Sequence, residues 1–369
     1  MLDVAAHLRE RSLVALMADG PLRPRLESRG IRTVVLEEGA SLHLVKRESR
    51  VPGPGAVGAV LHAARAVARL ARDHDVIYAN SQKAFIVACV AAAFARKPVL
   101  WHLHDILDPK VFSRINIGVD VFLANHAAAR VIANSQATAS ALVACGGTRA
   151  GIDVIYNGLD PAVADAVTDA GAAAMRASLG LGSGPVLGLF GRLAPWKGQD
   201  IAIRALAMLT DRPDVQLVIV GDALFGEESY ATSVRALVDS LGLTGRVHFL
   251  GFRTDVPVLM RAVDVLVHTS TAPEPFGRVI AEGMLAERPV IATAGGGASE
   301  IVRAGVTAWQ IGPNDPAALA AAIREVLADS TRAREIAKAG RSDALARFTL
   351  AVTLPQTERA IELAVERRA

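Results

Sequence analysis

Thr271-Ala-Pro-Glu-Pro-Phe-Gly-Arg-Val-Ile-Ala-Glu-Gly-Met284 is the stretch that decides how this chain is read. Two carboxylates, Glu274 and Glu282, stand with seven residues between them. Pro275 biases Glu274 away from helical angles and so places it on a loop. Phe276, Val279, Ile280, Met284 and Leu285 then fall at helical spacing, which predicts a short helix with one buried side. The first amides of that helix, near Gly277 and Arg278, lack intrahelical partners and point at whatever docks there, an arrangement suited to a phosphate. Glu282 falls under two turns into the helix, roughly 9 Å along its axis at ~1.5 Å per residue. One carboxylate on the loop and one on the helix can grip two polyol groups with a diphosphate between them. A nucleotide-sugar has that order of parts. A bare pair of glutamates at this spacing more often marks a solvated surface helix, so the weight falls on the flanking sequence.

Outward from that stretch, strand-like and helix-like runs alternate over the whole chain, the pattern of an α/β doubly wound architecture. With 369 residues the chain exceeds one typical core, so two domains are expected. In the front half strands are predicted at Ser12–Ala18, Ile31–Glu37, Asp75–Ser81, Pro98–Asp105, Arg130–Ser135 and Asp153–Asn157. Helical runs such as Ala56–Arg72 and Lys83–Ala95 lie between them, and the polar Glu48–Gly58 segment reads as a mobile loop. The pattern pauses in a turn at Asn157-Gly-Leu-Asp160. Strands resume at Pro185–Arg192, Val215–Asp222, Val247–Phe252, Val263–Ser270, Pro289–Ala294 and Trp309–Ile311. The predicted domains are therefore residues 1–160 and 161–350, with 351–369 a final helix that returns to the front domain.

Hydrophobic residues make up 51% of the chain and aromatics only 4%, an Ala- and Val-rich balance that suits helices packed on buried parallel strands. No apolar run reaches the ~18 residues of a membrane span. Met1 is followed at once by Asp3, His7, Arg9 and Glu10, which is not the pattern of a secretory leader. Cys89 and Cys145 have no metal-ligand or disulfide spacing and read as core thiols, so the expected compartment is the cytoplasm. Net charge is +3, but residues 1–157 hold 19 Lys and Arg against 13 Asp and Glu, a net +6, leaving 21 against 24, a net −3, in the rest. Arg23, Arg25, Arg29, Arg32, Lys46, Arg47 and Arg50 concentrate that excess, which suits either a solvated surface or an anionic partner such as the inner face of a membrane. Nucleic acid is not expected, because no aromatics interleave with these charges.

The candidate ligand-binding residues gather at strand ends. Phe190-Gly-Arg-Leu-Ala-Pro-Trp-Lys-Gly198 follows one strand, and its Gly191, Arg192 and Lys197 have the form of a phosphate clamp, with Arg as a bidentate donor and Lys as a point charge. Two cations near a helix start are unfavourable on their own, which implies a compensating anion. Gly221-Asp222, Gly251-Phe-Arg253, His268-Thr-Ser270 and Gly295-Gly-Gly297 end the other strands. Open α/β sheets bind ligands at that edge.

In their order and spacing these pieces resemble the donor-binding domain of retaining GT-B glycosyltransferases, the family-4 group. Gly191-Arg192…Lys197-Gly198, Gly221-Asp222, Gly251-Phe252, Glu274-Pro-Phe-Gly277…Glu282 and Gly295-Gly296…Glu300 carry the match. Ala79-Asn-Ser-Gln82, His102-Leu-His-Asp105, Ala133-Asn-Ser135 and Asn157-Gly-Leu-Asp160 resemble the family's acceptor-domain strand ends. The resemblance implies two Rossmann-like domains facing a cleft. It implies that Arg192 and Lys197 hold the diphosphate, Glu274 the donor-sugar hydroxyls and Glu282 the ribose. Backbone amides near Phe276, Gly277, Arg278 and Val279 would meet sugar and phosphate. Gly251, Phe252 and Arg253 would border the base, with Gly221 and Asp222 at the neighbouring strand end. His104 would face the donor sugar, with Asp105 as its orienting partner.

The implied reaction moves a sugar from a UDP-, GDP- or ADP-sugar to an acceptor hydroxyl on a sugar or lipid carrier, with retention of configuration. No Asp-x-Asp clamp stands at these strand ends, so no metal or other cofactor is expected. Glu274, taken as an exposed loop residue, would be dispensable for folding. Two other functions use the same architecture: a nucleotide-sugar 2-epimerase, which needs no acceptor, and a binding protein without turnover. Products formed without acceptor separate the first, and donor binding without turnover the second. The chain also opens within an amphipathic helix (Leu2, Val4, Ala5, Leu8), whereas a doubly wound domain opens on a central strand and a Gly-rich turn. The first strand of the front domain is therefore expected upstream of Met1.

Overall fold

The structure is a computed structural model of the chain and describes residues 2–36, 54–224 and 226–367. The chain forms two compact units, Met1–Tyr156 with Leu350–Ala369, and Asn157–Thr349.

In the first unit β1 (Val14–Leu16) and β2 (Thr33–Val35) pair in parallel. β3 (Ile77–Ala79), β4 (Val99–Leu103), β5 (Ala128–Ala133) and β6 (Ile152–Val154) form a second, four-stranded parallel ladder in that order. β4 is buried on both faces, and for that reason its Val-Leu-Trp-His-Leu sequence shows no polar alternation. On one face Phe85 stacks flat on Trp101, with ring centroids 4.2 Å apart. On the other, Leu100, Ile132 and Ile155 pack against Ala360 and Ala364 of the helix Leu350–Glu366. Part of the Glu48–Gly58 segment expected as a loop is helical, because the helix Pro54–Leu70 begins inside it. Proline is tolerated in a first helical turn, where its missing N–H would have no partner. Residues 48–53, and with them Arg50, lie outside the described residues, as do Lys46 and Arg47.

The second unit holds β7 (Val186–Phe190), β8 (Gln216–Val220), β9 (Val247–Gly251), β10 (Val265–His268), β11 (Val290–Thr293) and β12 (Trp309–Ile311). All pair in parallel, in the order β12-β11-β10-β7-β8-β9. β7 comes first in sequence and sits centrally. The chain lays β8 and β9 to one side of it and β10, β11 and β12 to the other. The order therefore reverses between β7 and β10, and the loops leaving those two strands flank the switch point where such sheets bind ligands. Leu187, Leu189, Val265 and Val267 pack under the helices Gln199–Ala207 and Pro316–Ala328, which supply Ile203, Leu206, Leu319 and Ile323.

Candidate functional site

The two loops at the switch point are tied together before any ligand is considered. The loop after β7 carries Gly191, Arg192 and Lys197 into the helix Gln199–Ala207. Gln199 Nε2 donates to the Arg192 carbonyl at 2.9 Å. From the loop after β10, Thr269 Oγ1 donates to the Lys197 carbonyl at 2.9 Å and the Thr271 N–H to the Trp196 carbonyl at 2.8 Å. The approach is close enough that a Cβ on Gly198 (φ 66°) would overlap the Thr269 carbonyl, so glycine is needed for space as well as for its backbone angle.

Glu274 enters this clamp from the β10 side, and it is not the exposed loop residue that Pro275 suggested. It is only 6% exposed. Its Oε1 accepts from Ser270 Oγ at 2.6 Å and from Lys197 Nζ at 2.5 Å, and lies 3.1 Å from His268 Nε2. His268 and Ser270 are two residues apart at the end of β10 and so share one side of the strand. Behind them Thr293 Oγ1 donates to the Ser270 carbonyl at 2.9 Å and lies 3.3 Å from His268 Nδ1. The Gly295–Gly297 triplet seats the Glu274 backbone: the Gly297 N–H donates to the Glu274 carbonyl at 2.7 Å. Burial alone would raise the Glu274 carboxyl; the His268 hydrogen bond and the Lys197 charge outweigh it and hold the group at about 2. Glu274 is thus an anion throughout the neutral range. Its Oε2 makes no hydrogen bond among the described residues, so this oxygen can accept hydroxyl groups of a ligand.

Arg192 joins Lys197 through an aromatic ring. Its guanidinium lies 5.7 Å from the centroid of Trp196, and Lys197 Nζ lies 4.0 Å from the same centroid. Arg192 also stands 3.9 Å from Glu227 Oε2. Lys197, expected only as a diphosphate ligand, is in addition the half-buried counter-ion of the buried Glu274.

The helix after Glu274 begins later than its apolar spacing implied. It spans Arg278–Leu285 with Gly277 (φ 101°) as its N-cap. Phe276 is outside it, 2% exposed, with its ring edge-on to Phe348 at 5.6 Å, so it anchors the loop rather than opening the helix. Glu282 is consequently one turn in, about 6 Å along the axis rather than 9. It accepts from Arg278 Nε at 2.7 Å. Val279 follows in the first turn, and the Ile280 N–H already bonds back to the Gly277 carbonyl at 2.9 Å. Gly191, Gly221 and Gly251 chain the ends of β7, β8 and β9: the Gly191 N–H donates to Val220 at 2.9 Å and the Gly221 N–H to Gly251 at 2.8 Å. Asp222 caps its own turn, its Oδ1 accepting the Ala223 N–H at 2.9 Å. Phe252 is 74% exposed, and Arg253 is paired with Asp255 at 2.6 Å.

His104 lies in the first unit, just past β4. Its Nε2 is 2.7 Å from Asn80 Oδ1, and its ring stacks on His102 with centroids 4.0 Å apart. Tyr78 closes the row, with its hydroxyl 2.5 Å from His102 Nδ1. Burial pushes His104 down to about 4, so it is neutral at pH 7 and its Nε2–H donates to Asn80. Asn80, at the end of β3, therefore orients this imidazole, the part that sequence reasoning gave to Asp105. His268 and Ser270 were likewise quoted in sequence but given no role. Their alternation at a strand end, just before a buried-site loop, was the available signal.

Among the described residues no group of three or more His, Cys, Asp or Glu is placed to hold a metal ion. No helix among them is long and apolar enough to cross a membrane.

Residues 173–343 match the family of glycosyl transferases group 1, and residues 2–163 match glycosyltransferase family 4. The solved structure of Anabaena Alr3699/HepE in complex with UDP and glucose superposes with a TM-score of 0.88 at 41% identity, covering 98% of this chain and 94% of that one. The chain belongs to glycosyltransferase family 4. Its two α/β units are the Rossmann-like domains of the GT-B fold. Among named members of the family, the D-inositol 3-phosphate glycosyltransferase of Mycobacterium sp. (strain KMS) is 36% identical over 190 residues, 50% of this chain and 42% of the relative. The 2-deoxystreptamine glucosyltransferase of Streptomyces kanamyceticus is 33% identical over 219 residues, 58% and 55% of the two chains. The match thus spans about half the length of these curated relatives.

Proposed function

We propose that this family-4 protein is a retaining, metal-independent glycosyltransferase that takes a UDP-hexose donor, with a gluco-configured sugar, and transfers the sugar to a hydroxyl of a glycan or lipid-linked acceptor. One observation carries the reading. A buried carboxylate held ionised at about 2 is fixed against Lys197 at a topological switch point, with one oxygen left open to sugar hydroxyls. The similarity to HepE, solved with UDP-glucose, supports the choice of nucleotide and sugar. Arg192, Lys197 and the first amides of the helix Arg278–Leu285 would carry the charge that develops on the leaving diphosphate. The bond from the anomeric carbon to the diphosphate breaks and a bond to the acceptor oxygen forms on the same face. The acceptor's proton leaves on the departing phosphate oxygen. Glu282 would take the ribose, and His104, neutral and fixed by Asn80, would donate no net charge to the reaction. We place the protein in the cytoplasm, with its acceptor at the inner face of an anionic membrane.

Thermal-shift titration with UDP-, GDP- and ADP-glucose tests the donor, since a specific ligand raises the melting temperature. UDP-glucose is expected to stabilise and to be turned over, with no loss on adding EDTA. Arg192→Ala and Lys197→Ala should each lower turnover by about a hundredfold or more. Glu274→Ala should abolish transfer and also lower the melting temperature, because it leaves Lys197 without its buried partner. Stabilisation by none of the three donors, or a strict need for a divalent metal, overturns the reading.

A further inference from the structure

One buried polar side chain, His102, takes part in no step of the proposed transfer. Leu100, His102 and His104 alternate onto one face of β4. At Leu100 that face is apolar, closed by Ile132 and by Ala360 and Ala364 of the helix Leu350–Glu366, with Tyr78 of β3 packed against the same cluster. Two residues further along, the face turns polar, and His102 there is only 7% exposed. Leucine would fill such a place and leave no polar atom to satisfy.

A count of protons shows what the histidine does there. Burial pushes the Tyr78 hydroxyl up, so it keeps its proton at neutral pH. Among the described residues that proton has one acceptor, His102 Nδ1 at 2.5 Å. His102 is therefore the Nε2–H tautomer, and it stays neutral, because burial and the neighbouring His104 both lower it. Its Nε2–H is buried with no hydrogen-bond partner among the described residues. A buried donor in that state weighs against folding, so hydrogen bonding alone does not account for the residue. What the ring does is lie over His104, with centroids 4.0 Å apart and planes 28° from parallel. Asn80 holds His104 at one atom, Nε2. A single hydrogen bond sets where that nitrogen lies but leaves the ring able to tilt about it. A flat neighbour stacked on the ring removes the tilt. Because Nε2 carries the proton, Nδ1 presents a lone pair, and it makes no hydrogen bond among the described residues. The direction of that lone pair is what a tilt would change.

We infer that Tyr78 and His102 are positioning residues for His104. Tyr78 fixes the His102 ring, and the stacked His102 ring fixes the plane of His104, so that its Nδ1 accepts a hydrogen bond from a hydroxyl of the ligand. The inference deepens the proposed function, in which His104 faces the donor sugar, and rests on that reading for the identity of the ligand.

Nitrogen NMR of the full chain with labelled histidine, together with calorimetric titration of UDP and UDP-glucose, tests it. In the wild type without ligand, His104 is expected as one Nε2–H tautomer with a single set of signals. His102→Leu and Tyr78→Phe should each split or broaden those signals. Both should leave the affinity for UDP unchanged, since UDP has no sugar for His104 to meet. Both should weaken UDP-glucose by up to about tenfold, the worth of one hydrogen bond. In a His104→Ala background the same substitutions should weaken UDP-glucose no further, because they act only through His104. Unchanged His104 signals in both variants overturn the inference. So does a loss of UDP-glucose affinity that is equally large in the His104→Ala background, since the pair would then serve the core alone. Disturbed His104 signals in a protein whose UDP-glucose affinity does not respond to His104→Ala would uphold the positioning and sink the donor-sugar role of His104.

Discussion

Asp120 shows how one side chain can weigh against the fold that holds it. Burial, aided by the charge of Asp105, pushes its carboxyl from 3.8 up to about 7. The folded chain therefore keeps this proton between about pH 4 and 7, while the unfolded chain releases it. Stability falls as pH rises through that window, by at most ~1.4 kcal/mol per pH unit. Asp120→Asn removes the penalty. Its melting temperature should exceed the wild type's by several degrees near pH 8 and match it near pH 4, as read by thermal unfolding at the two pH values. An equal difference at both pH values would mean that packing, not charge, sets the effect. Glu274 is the opposite case, a buried carboxylate held ionised by its neighbours. Its place on the loop ahead of the helix was legible from Pro275. Its burial was not, because the groups that close over it, Lys197, His268 and Thr293, come from the ends of three different strands. Only the strand order brings those ends together.

At the scale of elements, the twelve predicted strands are all observed, with ends shifted by a few residues. Parallel strands covered on both faces read as continuous Val, Ile and Leu runs, and such runs need no knowledge of their neighbours. Helix starts were less legible. Phe276 fits the apolar spacing of the helix after it, yet Gly277 with positive φ ends the loop one residue later. The spacing records which residues are buried, not which backbone angles they adopt. The glycine triplet after β11 packs directly on the backbone of the Glu274 loop. Gly296 lies against the Glu274 backbone, where a Cβ would overlap the Glu274 carbonyl. Gly242 has a nearly identical angle, φ 66° against 61°, but no atom lies within 4 Å of the place an added methyl would take. Gly242→Ala should therefore cost only the backbone strain, about 1 kcal/mol. Gly296→Ala should cost several degrees more in melting temperature and raise the KM for the donor, since Glu274 must move. Equal melting temperatures for the two variants, with unchanged KM, would show that the loop yields without disturbing the site.

On the scale of the whole molecule, the chain does not divide where its sequence divides. Its last helix, Leu350–Glu366, belongs to the first unit, although nearly two hundred residues of the second unit intervene. Ala360 and Ala364 cover Leu100, Ile132 and Ile155, Arg367 Nη1 donates to the Ala129 carbonyl at 2.8 Å, and Glu358 pairs with His7 and Arg11. The exposed ion pairs contribute little. The apolar cover is decisive: burying a Leu or Ile side chain is worth roughly 1.5–3 kcal/mol, so uncovering three of them removes about 5 kcal/mol or more. That is comparable to the whole stability of a small domain. A chain ending at Thr349 should consequently lose amide protection in β4 and β5 while β7, β8 and β10 keep theirs, by hydrogen–deuterium exchange. Ala360→Asp, which places a charge against the same cluster in the full-length chain, should reproduce the pattern. The second unit's core lies within its own six-stranded sheet and the helices packed on it, and it does not call on the last helix. Protection that survives in β4 and β5 in both variants would show that the first unit's core is complete without the returning helix. Simultaneous loss in β7, β8 and β10 would show instead that the two units unfold as one.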